Sequence, residues 1–551
     1  MVKKSFILVL FLLTVTYSSF SQKPWELHGE LQVTSDGRML QHADGTSFFW
    51  LGDTAWDMTH SLNHSDLEIY LSDRSTKKYT VLQTVAVPLW NLRSKNLYEE
   101  EAFHNGNLES PNETYWKNVD YVISACENHG LYVAILPVWG NHHVNRDQLL
   151  DIRIAKIYSE FIANRYKNSR NIIWILGGDL LGSQEYEIWN KMGNTINSID
   201  SNHLITFHPK GTYNSNAASI WFNNQSWLDI NMIQTGHSSK DPSHIIAGAV
   251  EREYSRLSPK PIIDGESRYE NIKRNLHDPN AQLIEAFEVR EAAYWEVFAG
   301  AFGYVYGHSS IWEFSEGEAT YGGDMHWKDA LNDEAGTQMQ YLYELMNSRP
   351  ILGRVPDQLL ISGSEGRLAE HIRATRGDGY ALIYTPSGST ITVNMEIISG
   401  NNVDAWWYNP KTGEATRIGT FPNKGTKSFQ PNGGHQRGND WVLVLDDESK
   451  GYGAPGRTSS LSVTTIGKER NVNIYPIPSK GIFNFIYSSQ YIGDAVLKVF
   501  DIQGKQLKTL KLQKNKKILE YEIDLSSFDS GVYFIQYIAR DYQNYQRVLK
   551  K

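Results

Sequence analysis

The sequence predicts an α/β chain in which a (β/α)8 TIM barrel is followed by a β-sandwich and then by a small C-terminal β-sandwich. Three observations predict it. Eight apolar, β-rich runs alternate with longer helix-like stretches between residues 48 and 310. Those runs are close to continuously apolar, as parallel strands covered on both faces are. After about Pro350 the pattern changes to short runs separated by turn signals, which suits antiparallel sheets.

The chain begins MVKKSFILVLFLLTVTYSSFSQ: two lysines, an apolar stretch short for a membrane span, then small and polar residues. This reads as a secretory signal peptide over 1–22. The barrel is assigned to 25–350. Its runs are FFWLGDT (48–54), YTVLQTVAVP (79–88), LYVAILPVWG (131–140), NIIWILGGD (171–179), HLITFHP (203–209), INMIQTGH (230–237), PIIDGE (261–266) and GYVYGHSS (303–310). Eight units over roughly 300 residues suit a closed barrel better than an open doubly wound sheet. No glycine-rich phosphate fingerprint follows any run, so nucleotide binding has no support. The runs ALIYTPSG, TITVNMEI, VDAWWYNPKTGEA and DWVLVLDD place a β-sandwich at 351–447, with support of the barrel as its default role. A Gly/Ser/Thr-rich segment, 448–470, reads as a flexible linker, and 471–551 as a separate small β-domain.

Composition narrows the function. A net charge of -9 offers no basic surface for nucleic acid or anionic lipid. The 16 Trp and 31 Tyr belong mostly to the core, but their excess suggests stacking on a flat ligand such as a sugar ring. The single cysteine, Cys126, excludes an intramolecular disulfide and falls on the apolar face of a helix-like stretch, as a buried thiol would. No metal or other cofactor is expected: Asn141-His142-His143 lacks zinc-site spacing, and adjacent histidines in an extended segment point opposite ways. GHSSI at 307–311 lacks the closing glycine of a serine nucleophile elbow. A monomer is expected.

Barrels carry their chemistry at the C-terminal ends of the strands. Polar and aromatic residues gather there: Asp53 and Trp56 on the first run, Trp90 after the second, Trp139, His142 and His143 after the third. They continue with Asp179 on the fourth, His208 on the fifth, Gln234 and His237 on the sixth, Asp264 and Glu266 on the seventh, and His308 and Trp312 on the eighth. Asp179 and Glu266 come from strands lying across the mouth from each other. Two facing carboxyls suffice for glycoside hydrolysis, one protonating the leaving oxygen and the other attacking or activating water. Taken singly, each has a plain structural alternative, a helix cap for Asp179 and an ion pair with Arg268 for Glu266. Asp53, His142, His143, His208, Gln234, His237 and His308 would bond sugar hydroxyls, and Trp56, Trp90, Trp139 and Trp312 would stack on sugar faces.

The stretch DGRMLQHADGTSFFWLGDTAWDM, the WILGGD strand and PIIDGESRYE together resemble the apiosidase-like glycoside hydrolase family, from about Trp25 to about Asp447. The resemblance implies a (β/α)8 barrel with a following collagen-binding-type β-module. It further implies Asp179 as general acid/base, Glu266 as nucleophile, and retaining cleavage of apiose linkages in a pectic polysaccharide. Relatives with the same strand positions carry Asn-Glu on strand four where this chain has Gly-Asp. YPIPSKGIF, VFDIQGKQL, DLSSFDSGVYFI and the terminal lysines resemble the C-terminal sorting domain of the type IX secretion system. That implies the secretion machinery as a partner and the cell surface or medium as destination. The other readings are a non-catalytic glycan- or collagen-binding surface protein on a barrel scaffold, another furanosidase, and a β-linked endo-glycanase. The presence of both strand-end carboxylates favours the enzyme over the binding protein. Their separation discriminates retention, at about 5–5.5 Å, from inversion, at about 6.5–9.5 Å, and a distance well beyond both excludes the pair.

Overall fold

The computed structural model describes residues 23–211, 216–237, 242–278, 280–457, 471–475, 479–488, 492–501, 505–516, 518–539 and 542–551. The expected signal peptide and most of the expected linker lie outside the described residues. The chain divides into two compact units, Met1–Ser459 and Ser460–Lys551.

Each of the eight apolar runs forms a strand: β1 (Trp50–Thr54), β2 (Val81–Val85), β3 (Tyr132–Leu136), β4 (Ile172–Leu180), β5 (Ile205–Pro209), β6 (Asn231–Gln234), β7 (Ile262–Asp264) and β8 (Gly303–Tyr306). The fold is α/β. A curled six-stranded parallel sheet runs in the order β8-β1-β2-β3-β4-β5, and β6 and β7 form a second parallel pair, with Asn216–Ala217 antiparallel on the outer side of β6. Among the described residues no strand ladder joins the two sheets. Hydrogen bonds cross both seams: Phe302 N donates to Ile262 O (3.0 Å) at one, and at the other Asp229 N donates to Ile205 O (2.9 Å), Ile205 N to Asp229 Oδ2 (2.9 Å) and Thr206 Oγ1 to Ile230 O (2.8 Å). A polar side chain also spans the interior: Gln83 on β2 donates to Gly265 O beyond β7 at 2.9 Å. Every residue of β2 and β3 is buried, which is why β3 is apolar on both faces and β2 is apolar but for Gln83 and Thr84.

The helices are α1 (His64–Thr76), α2 (Glu113–Asn128), α3 (Ile152–Tyr166), α4 (Tyr186–Ile199), α5 (Pro242–Tyr254), α6 (Ala286–Ala299) and α7 (Glu334–Asn347). Asn63, Asn112 and Asp151 cap the first three by accepting backbone N–H bonds at 3.0, 3.2 and 2.7 Å. Cys126 is buried on α2, and burial pushes its thiol well up, so it is inert.

α6 departs from the amphipathic pattern: every residue from Glu288 to Ala299 is buried. The β-rich region that follows covers the side a surface helix would leave wet. This region has a six-stranded antiparallel sheet, in the order Val355–Pro356, β9 (Arg373–Gly377), β10 (Tyr380–Thr385), β15 (Trp441–Asp447), β12 (Asn402–Tyr408) and β13 (Ala415–Pro422). Two further strands, β11 (Ile391–Asn394) and β14 (Thr426–Phe429), pair with each other. Side-chain alternation along β10 divides two cores. Tyr380, Leu382 and Tyr384 join the core of the α/β region, while Ala381 and Ile383 join the β-rich region's own. Ion pairs fasten the seam: the buried pairs Arg290 to Asp440 at 2.7 and 2.8 Å and Arg349 to Asp446 at 2.6 and 3.1 Å, and the exposed Arg437 to the buried Glu291 at 2.7 and 2.9 Å.

The C-terminal unit has a three-stranded and a four-stranded antiparallel sheet, with Phe483, Phe485, Leu497, Val499, Ile523 and Ile535 in its core. No helix among the described residues is long and apolar enough to cross a membrane.

Candidate active site

β4 does not end as a regular strand. Gly177, Gly178 and Asp179 have φ of 86°, 109° and 53°, a left-handed run that breaks the register with β5 between Gly177 and Leu180. A Cβ on Gly177 would stand 2.5 Å from His208 O, and one on Gly178 would stand 2.9 Å from Gly140 N, so both positions require glycine for space as well as conformation. The Asp179 side chain thereby enters the mouth half-buried, and Gln234 Nε2 donates to its Oδ1 at 3.1 Å. Burial, and then the nearby charge of Glu266, push its carboxyl up to about 6.

Glu266 follows β7 and is buried. Asp264, fully buried, holds it from behind: its Oδ1 accepts the Glu266 N–H at 3.0 Å, and its Oδ2 accepts from Thr235 Oγ1 at 2.5 Å. His237 Nε2 lies 3.0 Å from Glu266 Oε1, and His208 Nε2 lies 3.5 Å from Oε2. Burial alone would raise this carboxyl, but the contacts and charges of His208 and His237 outweigh it and hold Glu266 down at about 2. One oxygen of Asp179, one of Glu266 and a ring nitrogen of His208 all lie within 4.8 Å of one another. Below about pH 6 this is a proton-holding carboxyl facing an ionised one, able to supply a proton and an electron pair to the same bond.

Two cavities open on the pair. One, of about 160 Å³, is aromatic, with Trp56, Trp90, Trp139, Trp312 and Tyr269 around Asp179 and Glu266. The other, of about 360 Å³, is polar and lined by Lys210, Gln234, Asn275 and His277. Trp56 and Trp139 pack at 5.1 Å between ring centroids, and His208 meets the edge of Trp56 at 5.4 Å. Trp90 stands at the rim, 44 % exposed, against His142 at 4.7 Å.

The structure brings most, but not all, of the expected residues together. Trp56, Trp90, Trp139, His142, His237 and Trp312 line the aromatic cavity with Asp179 and Glu266. His208 and Gln234 contact the carboxyls directly. Three expected residues are elsewhere. Asp53 is fully buried on the outer side of β1, where it neutralises the buried Arg74 and accepts from Tyr70 Oη at 2.7 Å. His143 is fully buried and accepts the Trp139 N–H at 3.1 Å, with burial holding its ring down to about 4. His308 is fully buried against Asp333 at 2.8 Å and accepts the Ser310 N–H. The extended segment expected around Asn141-His142-His143 is instead a π-helical turn, Asn141–Arg146, and the two imidazoles diverge because successive helical residues point different ways. Missed by the sequence reading are Tyr269, Arg146, Tyr321 and Lys210. Lys210, just past the end of β5, could have been found by the strand-end rule; the others lie on loops without a periodic signal.

Three family models match the chain in order: "Apiosidase-like, catalytic domain" over 34–353, "Putative collagen-binding domain of a collagenase" over 355–446, and "Secretion system C-terminal sorting domain" over 473–551. Among curated proteins, none matches. Among solved structures, one titled "Glycoside hydrolase" is 38 % identical, with 79 % of this chain and all of that chain covered at a TM-score of 0.74. A glycoside hydrolase family 5 structure from Bacteroides vulgatus ATCC 8482 is 36 % identical over 80 % of this chain and 97 % of its own, also at 0.74. Another glycoside hydrolase structure from that organism, 13 % identical over 76 % of this chain and 82 % of its own at 0.56, shares the fold.

Proposed function

The chain belongs to the apiosidase-like glycoside hydrolase family and is exported by the type IX route to the cell surface or beyond, and from that premise we propose that it cleaves a pectic glycoside with retention, using Asp179 as acid/base and Glu266 as nucleophile. The carrying observation is the pair itself: carboxyl oxygens within 4.8 Å, one group up at about 6 and the other down at about 2, at an aromatic cavity. Retaining glycosidases hold their carboxyls about 5–5.5 Å apart and inverting ones about 6.5–9.5 Å apart, so the spacing favours retention.

In the first step Asp179 gives its proton to the glycosidic oxygen as the C1–O bond breaks, and a Glu266 oxygen bonds to C1. In the second, Asp179 takes a proton from water, whose oxygen displaces Glu266 from C1. Trp56, Trp90, Trp139 and Trp312 stack on sugar faces, while His142, Gln234 and His237 position hydroxyls or the carboxyls. His208 acts on Glu266 rather than on sugar.

The two parallel sheets are read as arcs of one closed (β/α)8 barrel. The hydrogen bonds at both seams and the Gln83 bond across the interior support that reading. The division follows the sequence: a signal peptide at 1–22, the barrel at 25–350, a β-sandwich at 351–447, a linker at 448–470 and the sorting domain at 471–551. A monomer suffices, since one chain supplies both carboxyls.

The test is a screen of pectic and hemicellulosic oligosaccharides with wild type, Asp179→Asn and Glu266→Gln, reading the anomer formed first by NMR. Expected are release of apiose as its retained anomer and loss of turnover, by roughly 10² or more, in both variants. Full activity in both variants would exclude this pair; an inverted first product would exclude the covalent step.

A further inference from the structure

His208 is fully buried; its Nδ1 has no hydrogen-bond partner, and its Nε2 has only a long, poorly formed contact with Glu266. A buried, unsatisfied polar group costs about 1–3 kcal/mol, so its persistence points to a partner that arrives from outside. Its Nε2 faces Glu266 Oε2 at 3.5 Å, long for a hydrogen bond. That spacing is close to the ligand-to-ligand edge of a tetrahedron with metal bonds of about 2.0–2.2 Å. An Asp179 oxygen completes a triad within 4.8 Å, and Asp179 is held among the described residues by one side-chain bond, from Gln234. Closing to bonding range asks a shift of about an ångström from this partly buried side chain. His237 Nε2, 3.0 Å from the other Glu266 oxygen, stands within reach as a fourth donor.

We propose that Asp179, His208 and Glu266 form a site for a divalent transition-metal ion of the zinc class, which occupies the cleft in place of sugar. The donor set decides the class: imidazole nitrogen with carboxylate oxygen suits Zn²⁺, Co²⁺, Ni²⁺ and Cu²⁺, whereas Ca²⁺ takes six to eight oxygens and Mg²⁺ an octahedral oxygen shell. Both cavities give entry to the cluster. The metal acts here as an inhibitor, because bound carboxylates can neither donate a proton nor attack carbon. Binding follows from geometry alone; competition with substrate rests on the hydrolytic reading of the same cleft.

Calorimetric titration of the full chain, stripped with a chelator, with Zn²⁺ tests the site, and Co²⁺ supplies a visible absorption spectrum as a second probe. One equivalent is expected, with tetrahedral-type Co²⁺ bands, and His208→Ala and Glu266→Gln should each weaken binding at least roughly tenfold. His208→Gln keeps the side-chain bulk and should behave as His208→Ala does, which covers the case in which the alanine variant fails to fold. No one-equivalent site, unchanged affinity in the folded variants, or Ca²⁺ binding as tight as Zn²⁺ would each overturn the proposal. Zn²⁺ binding alongside full activity in Asp179→Asn would sink the hydrolytic reading and leave the metal site standing. The reverse pattern would remove only the metal site.

Discussion

Asp179 and Glu266 are the same chemical group held in opposite states, and the difference shows in solution. In the proposed role Asp179 must keep its proton to serve as acid, so kcat/KM should fall about tenfold per pH unit above about 6, with the acidic limb far lower, near the value of about 2 for Glu266. A rate profile flat from pH 5 to 9 would contradict this assignment. The two carboxyls also act on stability with opposite sign. Folding raises the Asp179 value, so ionising it strains the native state, and stability is lost as pH climbs from the ordinary carboxylate range through about 6. Folding depresses the Glu266 value, so its contribution is complete above the ordinary range and is lost as pH falls through about 2. At pH 7, therefore, Asp179→Asn should raise Tm, while Glu266→Gln should cost on the order of 1–3 kcal/mol in denaturant melts. Which strand-end residues reach the cavity was readable only in part. Strand order set Asp179 and Glu266 on facing strands, and both line the cavity, but Asp53 turns outward to Arg74, and the side of the sheet on which a terminal residue lands depends on a parity that irregular strand ends disturb.

The decisive element is the left-handed close of β4. Two glycines followed by a carboxylate were visible as a pattern; that all three residues have positive φ was not, because a non-glycine residue takes this conformation only when its surroundings impose it. Gly177→Ala should destabilise by roughly 2 kcal/mol or more, since the added methyl group meets a backbone carbonyl at 2.5 Å and the backbone resists positive φ. It should also lower kcat more than it changes KM, because the strand end would carry Asp179 away from the bond it protonates while the tryptophans stay in place. Equal losses in both constants would mean that the turn shapes the cavity as a whole. α6 is the complementary case. Its sequence, AFEVREAAYWEVFA, marks a helix, yet its burial on all sides depends on partners far along the chain, such as His371, 76 residues from Trp295, and Asp440, 150 residues from Arg290.

At the scale of the whole molecule, the boundary near residue 350 marks a change of architecture without an independent body on each side. The shift from buried parallel runs to antiparallel ones was evident in sequence, whereas the ion pairs crossing it join positions about 100 to 150 residues apart and leave no local trace. Arg290→Ala would leave Asp440 buried and unpaired, at a cost of roughly 3–5 kcal/mol. If the α/β and β-rich regions unfold together, calorimetry of this variant will show one transition for 23–457 shifted down as a unit. Two separating transitions would show that the seam is weaker than its contacts imply. The double-sided burial of β10 carries this into the chain's evolutionary history. A catalytic half whose core is completed by tyrosines from its neighbour cannot be exchanged between genes by recombination near residue 354 without exposing an apolar wall and several unpaired charges. A crossover that preserves a working enzyme is expected only after about residue 450, so the stretches matched by the catalytic and collagen-binding models should exchange only as one piece.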